Sequence, residues 1–161
     1  MDTSVLINFL CIDRMDLIAR HSHQFIVTDH VAAEVKDFYS DQQTRLKAAL
    51  QSGTLKQVSI ADQREVTLFG SLSKSGRLGS GECSAIALAI SREYVLAIDD
   101  RQATNQARKI SRNLRILTTQ GLIVAMIHEN LLNVAEADEL KKTWAHKHRF
   151  RLPIKSFSDV L

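Results

Sequence analysis

Apolar residues in this chain fall into short runs that end abruptly, separated by stretches in which they recur at helical spacing. Phe25-Ile26-Val27-Thr28 and Val95-Leu96-Ala97-Ile98 read as short buried strands, and Leu114-Arg115-Ile116-Leu117-Thr118 as a third. Leu55 to Ile60 alternates with period two, as an edge strand does. Helical pattern runs from Val5 through Leu10 and on through Asp16-Leu17-Ile18-Ala19, ending near His21-Ser22-His23. Asp29 is placed as the N-cap of a helix from His30 to about Tyr39, with Val31, Glu34, Val35 and Phe38 on one face. Further helices are expected from Arg45 to Gln51, stopped by Gly53, and toward Lys74 from a capping box made by Asp62 and Glu65. After the loop Ser75 to Gly81, Glu82 opens a strongly apolar helix containing Ala85, Ile86, Leu88, Ala89 and Ile90. Ala103, Ala107 and Ile110 share a helix face, Gln120 to His128 is helical and apolar, and residues 134–148 are helical again. Phe157 to Leu161 is expected to dock as a terminal segment. Strand and helix alternate from 95 to 128, which argues for a parallel α/β sheet.

Composition narrows the class. At 161 residues, with 45% hydrophobic and 24% charged residues, the chain is long enough to bury a real core. The formal charge of +3 permits a nucleic-acid partner without demanding one. Cys11 and Cys83 show no ligand-like spacing and read as free thiols of a reducing compartment. No apolar run approaches the roughly 18 residues of a membrane span, and no signal peptide or repeat of 20 to 50 residues is visible. A cytoplasmic location is expected.

Candidate chemistry begins where Ile98 gives way to Asp99 and Asp100. Groups just beyond a strand's C-terminal end face the ligand crevice of an open α/β sheet, and two adjacent carboxylates there call for a cation. A helix cap is the competing reading for the pair. Glu34 sits among apolar positions, costly unless it has a partner, and Glu82 starts a helix packed centrally in the fold. Arg101, Arg108 and Lys109 follow the acidic pair and are candidate phosphate contacts. The tail from Lys147 to Arg151, with Trp144 and Phe150, offers either a stacking clamp for single-stranded RNA or an ordinary solvated helix end. The six histidines, His21/His23 and His146/His148 among them, form no zinc motif and are expected at the surface.

Four blocks in this order and spacing resemble the PIN-domain nucleases. They are residues 2–8 (DTSVLIN), 27–35 (VTDHVAAEV), 78–89 (LGSGECSAIALA) and 97–103 (AIDDRQA). The closest likeness is to VapC-like toxins of the branch with Gly-Glu on the central helix. The resemblance implies a three-layer α/β/α fold around a central parallel sheet, as one domain over residues 1–161 with a core at 2–128 and a helical, basic extension at 129–161. It implies a ribonuclease using Mg²⁺ or Mn²⁺, the toxin of a toxin–antitoxin pair, held by a small antitoxin and forming a homodimer. Asp2, Glu34, Glu82 and Asp100 are the implied ligands, and Asp99 is a ligand or a water-orienting base; strand register does not separate Asp99 from Asp100. Ser4 is expected to hydrogen-bond a ligand carboxylate or water. The family's full apolar strand before the first Asp is here only Met1, and Thr118-Thr119-Gln120-Gly121 replaces the usual small Gly-Thr turn. An inactive binding module of the same fold and a Mg²⁺-dependent receiver-like phosphotransfer domain are the alternatives.

Overall fold

The computed structural model describes residues 1–35 and 40–161. Helices α1 (Thr3–Cys11) and α2 (Met15–Arg20) lead to strand β1 (Phe25–Thr28) and helices α3 (Asp29–Glu34) and α4 (Ser40–Gln51). Strand β2 (Leu55–Val58) is followed by α5 (Gln63–Lys74), α6 (Ser80–Ser91), strand β3 (Leu96–Ala97) and α7 (Arg101–Ile110). Strand β4 (Ile116–Leu117), α8 (Thr119–His128), α9 (Val134–Lys147) and a 3-10 turn at Phe157–Asp159 complete the chain. This is the expected mixed α/β architecture of helices layered on parallel strands.

The sheet comes in two halves. β1 pairs with β2 in parallel, Phe25 opposite Leu55 through Thr28 opposite Val58, and β3 pairs with β4, Leu96 opposite Ile116 and Ala97 opposite Leu117. Between the halves runs a two-residue stub of extended chain. The Met1 amino group donates to Ile26 O at 2.8 Å, and the Asp2 N–H donates to Ala97 O at 2.9 Å. Met1 and Asp2 thus occupy a central strand position, one bond to each side.

Several boundaries differ from the sequence reading, for local reasons. The first helical stretch breaks after Cys11, where Asp13 takes a left-handed φ of 57°. Thr28, not Asp29, caps α3, its hydroxyl accepting from the Val31 N–H. Asp29 instead accepts from the side chains of Gln57 and Ser59, tying α3 to the end of β2. The expected course of this helix through Phe38 to Tyr39 falls on residues outside those described. β3 and β4 are shorter than their apolar runs because Thr118 leaves β4 to cap α8, although Ile98 N–H still bonds Leu117 O at 2.9 Å. The Asp62–Glu65 capping box is present as read.

Helix α6 is buried from Cys83 through Ile90, in keeping with its small residues on most faces. The C-terminal region belongs to the same core. Trp144 of α9 is fully buried, donates from Nε1 to Asn8 O at 2.7 Å, and meets Phe9 edge-on with centroids 6.1 Å apart. Phe150 packs edge-on against the other side of Trp144 at 5.7 Å, and Phe157 is fully buried. A buried indole whose N–H is satisfied contributes through both area and hydrogen bond. Trp144→Ala is expected to cost about 3–5 kcal/mol in urea unfolding, and Trp144→Phe clearly less, because the ring contact with Phe9 survives.

Candidate functional site

Asp2 is where the stub turns into a helix. Its backbone is extended, and its Oδ1 accepts the Val5 N–H at 3.0 Å, so the carboxylate caps α1. Oδ2 accepts the Ser4 hydroxyl at 2.7 Å, the contact expected of Ser4. The residue is 1% exposed. Beyond β3, Asp99 accepts the Thr119 N–H at 2.7 Å on Oδ1, and on Oδ2 the Thr119 hydroxyl at 2.6 Å and Asn8 Nδ2 at 3.0 Å. Asp99 therefore locks the start of α8 to α1.

Glu34 and Glu82 meet across the start of α6. Glu34 takes the Thr3 hydroxyl at 2.5 Å on Oε2, and the Ser80 hydroxyl and Gly81 N–H at 2.9 and 2.7 Å on Oε1. The partner that a Glu among apolar positions needs is thus the N-terminal turn of α6 together with Thr3. Gly81 is required by this contact, since a Cβ there would lie 2.6 Å from Thr3 Oγ1 and 2.8 Å from Glu34 Cδ. Glu82 accepts the Gly79 N–H on Oε2 at 2.9 Å. Asp100 caps α7, its Oδ1 accepting the Ala103 N–H at 2.6 Å, and is exposed. The structure thus distinguishes Asp99 from Asp100, which strand register could not: Asp99 is tied at both oxygens, while among the described residues Asp100 Oδ2 and Glu82 Oε1 accept no hydrogen bond.

The other sequence candidates divide. Arg101 follows Asp100 directly and is exposed, whereas Arg108 and Lys109 lie in the last turn of α7, about 11 Å further along the axis. Trp144 is fully buried and the partly buried Phe150 meets it edge-on, so the clamp reading fails at Trp144, which has no face open to RNA. The expectation of surface histidines also fails at His21, whose side chain is 3% exposed. Among the described residues, the three ligand-type side chains whose donor atoms lie within 4.8 Å of one another are His21, His23 and Glu129, not a trio of the acidic residues. Glu129 is held there by the Ser22 N–H and hydroxyl at 3.0 and 2.5 Å. Burial lowers the His21 pKa, and its Nε2 has no hydrogen-bond partner. A groove of about 1090 Å³ between α5 and the end of α7 contains none of the five carboxylates. Sequence reasoning missed Thr3, Asn8, Ser80 and Thr119. The signal for Thr3 and Ser80 was adjacency to Asp2 and to the Gly81-Glu82 pair; Asn8 ended the first block and Thr119 lay in the turn that departs from the family, but their contacts with Asp99 arise only through the fold.

Charge interactions link the carboxylates in two groups, Asp2 with Asp99, and Glu82 with Asp100 and Glu34. Desolvation raises the Asp2 pKa to about 6 against the hydrogen bonds from Ser4 and Val5, and the charge of Asp99 pushes the same way. Desolvation also raises the Glu82 pKa, helped by the charges of Asp100 and Glu34. Mutual repulsion in an oxygen-only anionic donor set is relieved by a hard divalent cation, so the residues present fit one. The Met1 amine is pushed down to about 6, chiefly by burial. Because folded Asp2 retains a proton that the unfolded chain has released, its contribution to stability is lost as pH rises from about 4 to about 6. In EDTA, Asp2→Asn is therefore expected to gain on the parent protein by about 2–3 kcal/mol across that window and to stay ahead above it. Urea midpoints measured at pH 4, 5, 6 and 7 check this; a constant difference contradicts it. The Met1 amine acts oppositely in the next window, parent stability rising between about pH 6 and 8 as the unfolded chain's amine loses its charge.

Among curated proteins, none matches the chain. The family described as DUF3368, PIN domain, matches it over residues 1–161, its whole length. PIN domains are generally nucleases. The chain belongs to the PIN-domain family.

Proposed function

We propose that the chain is a metal-dependent endoribonuclease that hydrolyses RNA phosphodiester bonds, and that it is the toxin of a type II toxin–antitoxin pair. The observation that supports this reading is a set of carboxylates beyond the strand ends of a PIN-domain chain, in which the charge of Asp99 acts on Asp2 and those of Asp100 and Glu34 act on Glu82. Carboxylates alone would repel an RNA backbone, so the cluster makes chemical sense when a cation inverts the local charge. Asp2, Glu82, Asp99 and Asp100 would hold Mg²⁺ or Mn²⁺, with Glu34 fixed at the start of α6. Such an ion supplies a water activated near neutral pH and neutralises charge developing on the phosphate.

The chain's own residues then have separate tasks. Ser4 and Val5 orient Asp2, Thr119 and Asn8 orient Asp99, and Gly81 and Thr3 orient Glu34. Asp100 and Glu82, each with a free oxygen, face incoming ligand. Arg101 is the phosphate contact nearest the rim, and Arg108 and Lys109 extend a basic track along α7 for the RNA beyond the scissile bond. A small antitoxin whose peptide covers the rim, and a homodimer in the cytoplasm, complete the reading. Among the described residues, no helix is long and apolar enough to cross a membrane.

One observation favours a second reading, that of an inactive PIN-like binding module: both oxygens of Asp2, Glu34 and Asp99 already accept hydrogen bonds within the protein. RNA cleavage decides between them. The purified protein is expected to cut RNA with Mg²⁺ or Mn²⁺ and to stop in EDTA. Asp100→Asn is expected to abolish cleavage, with the circular dichroism spectrum unchanged. Gly81→Ala, which must displace the Glu34 carboxylate, is expected to lower the rate at least tenfold in a folded protein. No cleavage with either ion by the parent protein would leave the binding module standing.

A further inference from the structure

Three ligand-type side chains meet where the chain enters β1 and leaves α8. His21 is the C-cap of α2, His23 lies two residues before β1, and Glu129 is the C-cap of α8. The ten residues of α8, about 15 Å of helix axis, separate Glu129 from Thr119, which holds Asp99. Ligand atoms of the three lie within 4.8 Å of one another, and His21 Nδ1 is 3.6 Å from Glu129 Oε1. Two ligand atoms on a tetrahedral zinc ion, with bonds of about 2.0–2.1 Å, stand about 3.4 Å apart. Hydrogen bonds around the trio assign its protons. Ser22 gives its N–H to Glu129 Oε2 and its hydroxyl proton to Oε1, at 3.0 and 2.5 Å. Its Oγ, 3.0 Å from His23 Nδ1, is left to accept from that nitrogen, which puts the His23 lone pair on Nε2. His21 Nδ1 accepts the His23 N–H at 3.1 Å and is therefore unprotonated. The His21 side chain is 3% exposed, and its Nε2 has no hydrogen-bond partner among the described residues. A buried ring with one nitrogen unpaired costs free energy that a strong bond at the other nitrogen offsets.

We propose that His21, His23 and Glu129 form a binding site for a divalent transition ion, Zn²⁺ foremost, separate from the carboxylates beyond the strand ends. The donor set selects the class of ion. Two imidazole nitrogens and one carboxylate oxygen suit zinc, whereas the oxygen-only set of Asp2, Glu82, Asp99 and Asp100 suits the harder Mg²⁺ or Mn²⁺. Zinc takes the lone pair of His21 Nδ1 in place of the His23 N–H, together with His23 Nε2 and Glu129 Oε1, and water completes the tetrahedron. His23 supplies the adjustment, since its ring is exposed and free to close the remaining distance. Ser22 holds both the His23 ring and the Glu129 carboxylate, as groups next to a metal's ligands commonly do. The ion ties the turn before β1 to the end of α8, giving that helix a second anchor besides the bond from Thr119 to Asp99. None of the three residues belongs to the acidic set, so the site does not depend on the nuclease reading.

The test titrates Zn²⁺ by calorimetry into the full chain stripped of metal, in an excess of Mg²⁺ that occupies oxygen-only sites. Thermal midpoints and the visible spectrum of the Co²⁺-loaded protein are measured alongside. The parent protein is expected to bind one Zn²⁺ per chain, to gain in thermal midpoint, and to show the intense visible bands of tetrahedral cobalt. His23→Ala, which removes an exposed ring, is expected to weaken zinc binding by about a hundredfold or more and to abolish the gain in midpoint. Asp100→Asn is expected to keep both. No zinc bound by the parent protein, or zinc bound equally well by His23→Ala, would overturn the proposal. Binding lost in Asp100→Asn and kept in His23→Ala would overturn it too, by assigning the ion to the acidic residues. RNA cleavage in Mg²⁺ is measured separately, so failure of the zinc site leaves the nuclease reading where it was.

Discussion

Two hydrogen bonds made by the first two residues organise this molecule. Met1 N to Ile26 O and Asp2 N to Ala97 O bridge the half-sheets, and the same two residues deliver the Asp2 carboxylate to the rim. Everything at the site takes its position from that bridge. Asp2 caps α1, α1 carries Thr3 to Glu34 and Asn8 to Asp99, and Asn8 O receives Trp144 from α9. Residues more than a hundred positions apart thereby share one small polar network, whose members are mutually satisfied and whose net charge is negative.

In that network, capping a helix and bordering the rim are compatible for these carboxylates. Asp2, Glu82 and Asp100 each accept a backbone N–H at a helix start, and each still borders the rim. A helix N-terminus stabilises a nearby negative charge, so caps offset part of the repulsion that gathering the carboxylates creates. Burial is the main cause of the raised pKa values of Asp2 and Glu82, with the neighbouring carboxylates adding to it. A capped but mutually repelling anionic cluster has the donor set that a hard divalent cation would take.

The sequence was most legible where chemistry is local. The Asp62–Glu65 capping box and the buried helix after Gly81 follow from neighbours within four residues, and each is present. Legibility failed where partners are distant. Thr119 binds Asp99 and Glu129 meets His21 because α8 packs beside both, a fact no spacing encodes. Trp144 and Phe150 look like a nucleic-acid clamp in a basic tail, yet the apolar area of an indole outweighs the charges around it, and it goes inside. Asp29 lost the cap of α3 to Thr28, one residue earlier, because the strand ends at Thr28 with its hydroxyl already poised over the first turn.

The central claim is that the rim formed by Asp2, Glu34, Glu82, Asp99 and Asp100 is the protein's cation site. A crystal soaked in Mn²⁺ and measured near the manganese absorption edge tests it most directly. The account predicts an anomalous peak coordinated by the free oxygens of Glu82 and Asp100 and by Asp2 or Asp99. A peak confined to His21, His23 and Glu129, with none at the rim, would contradict it.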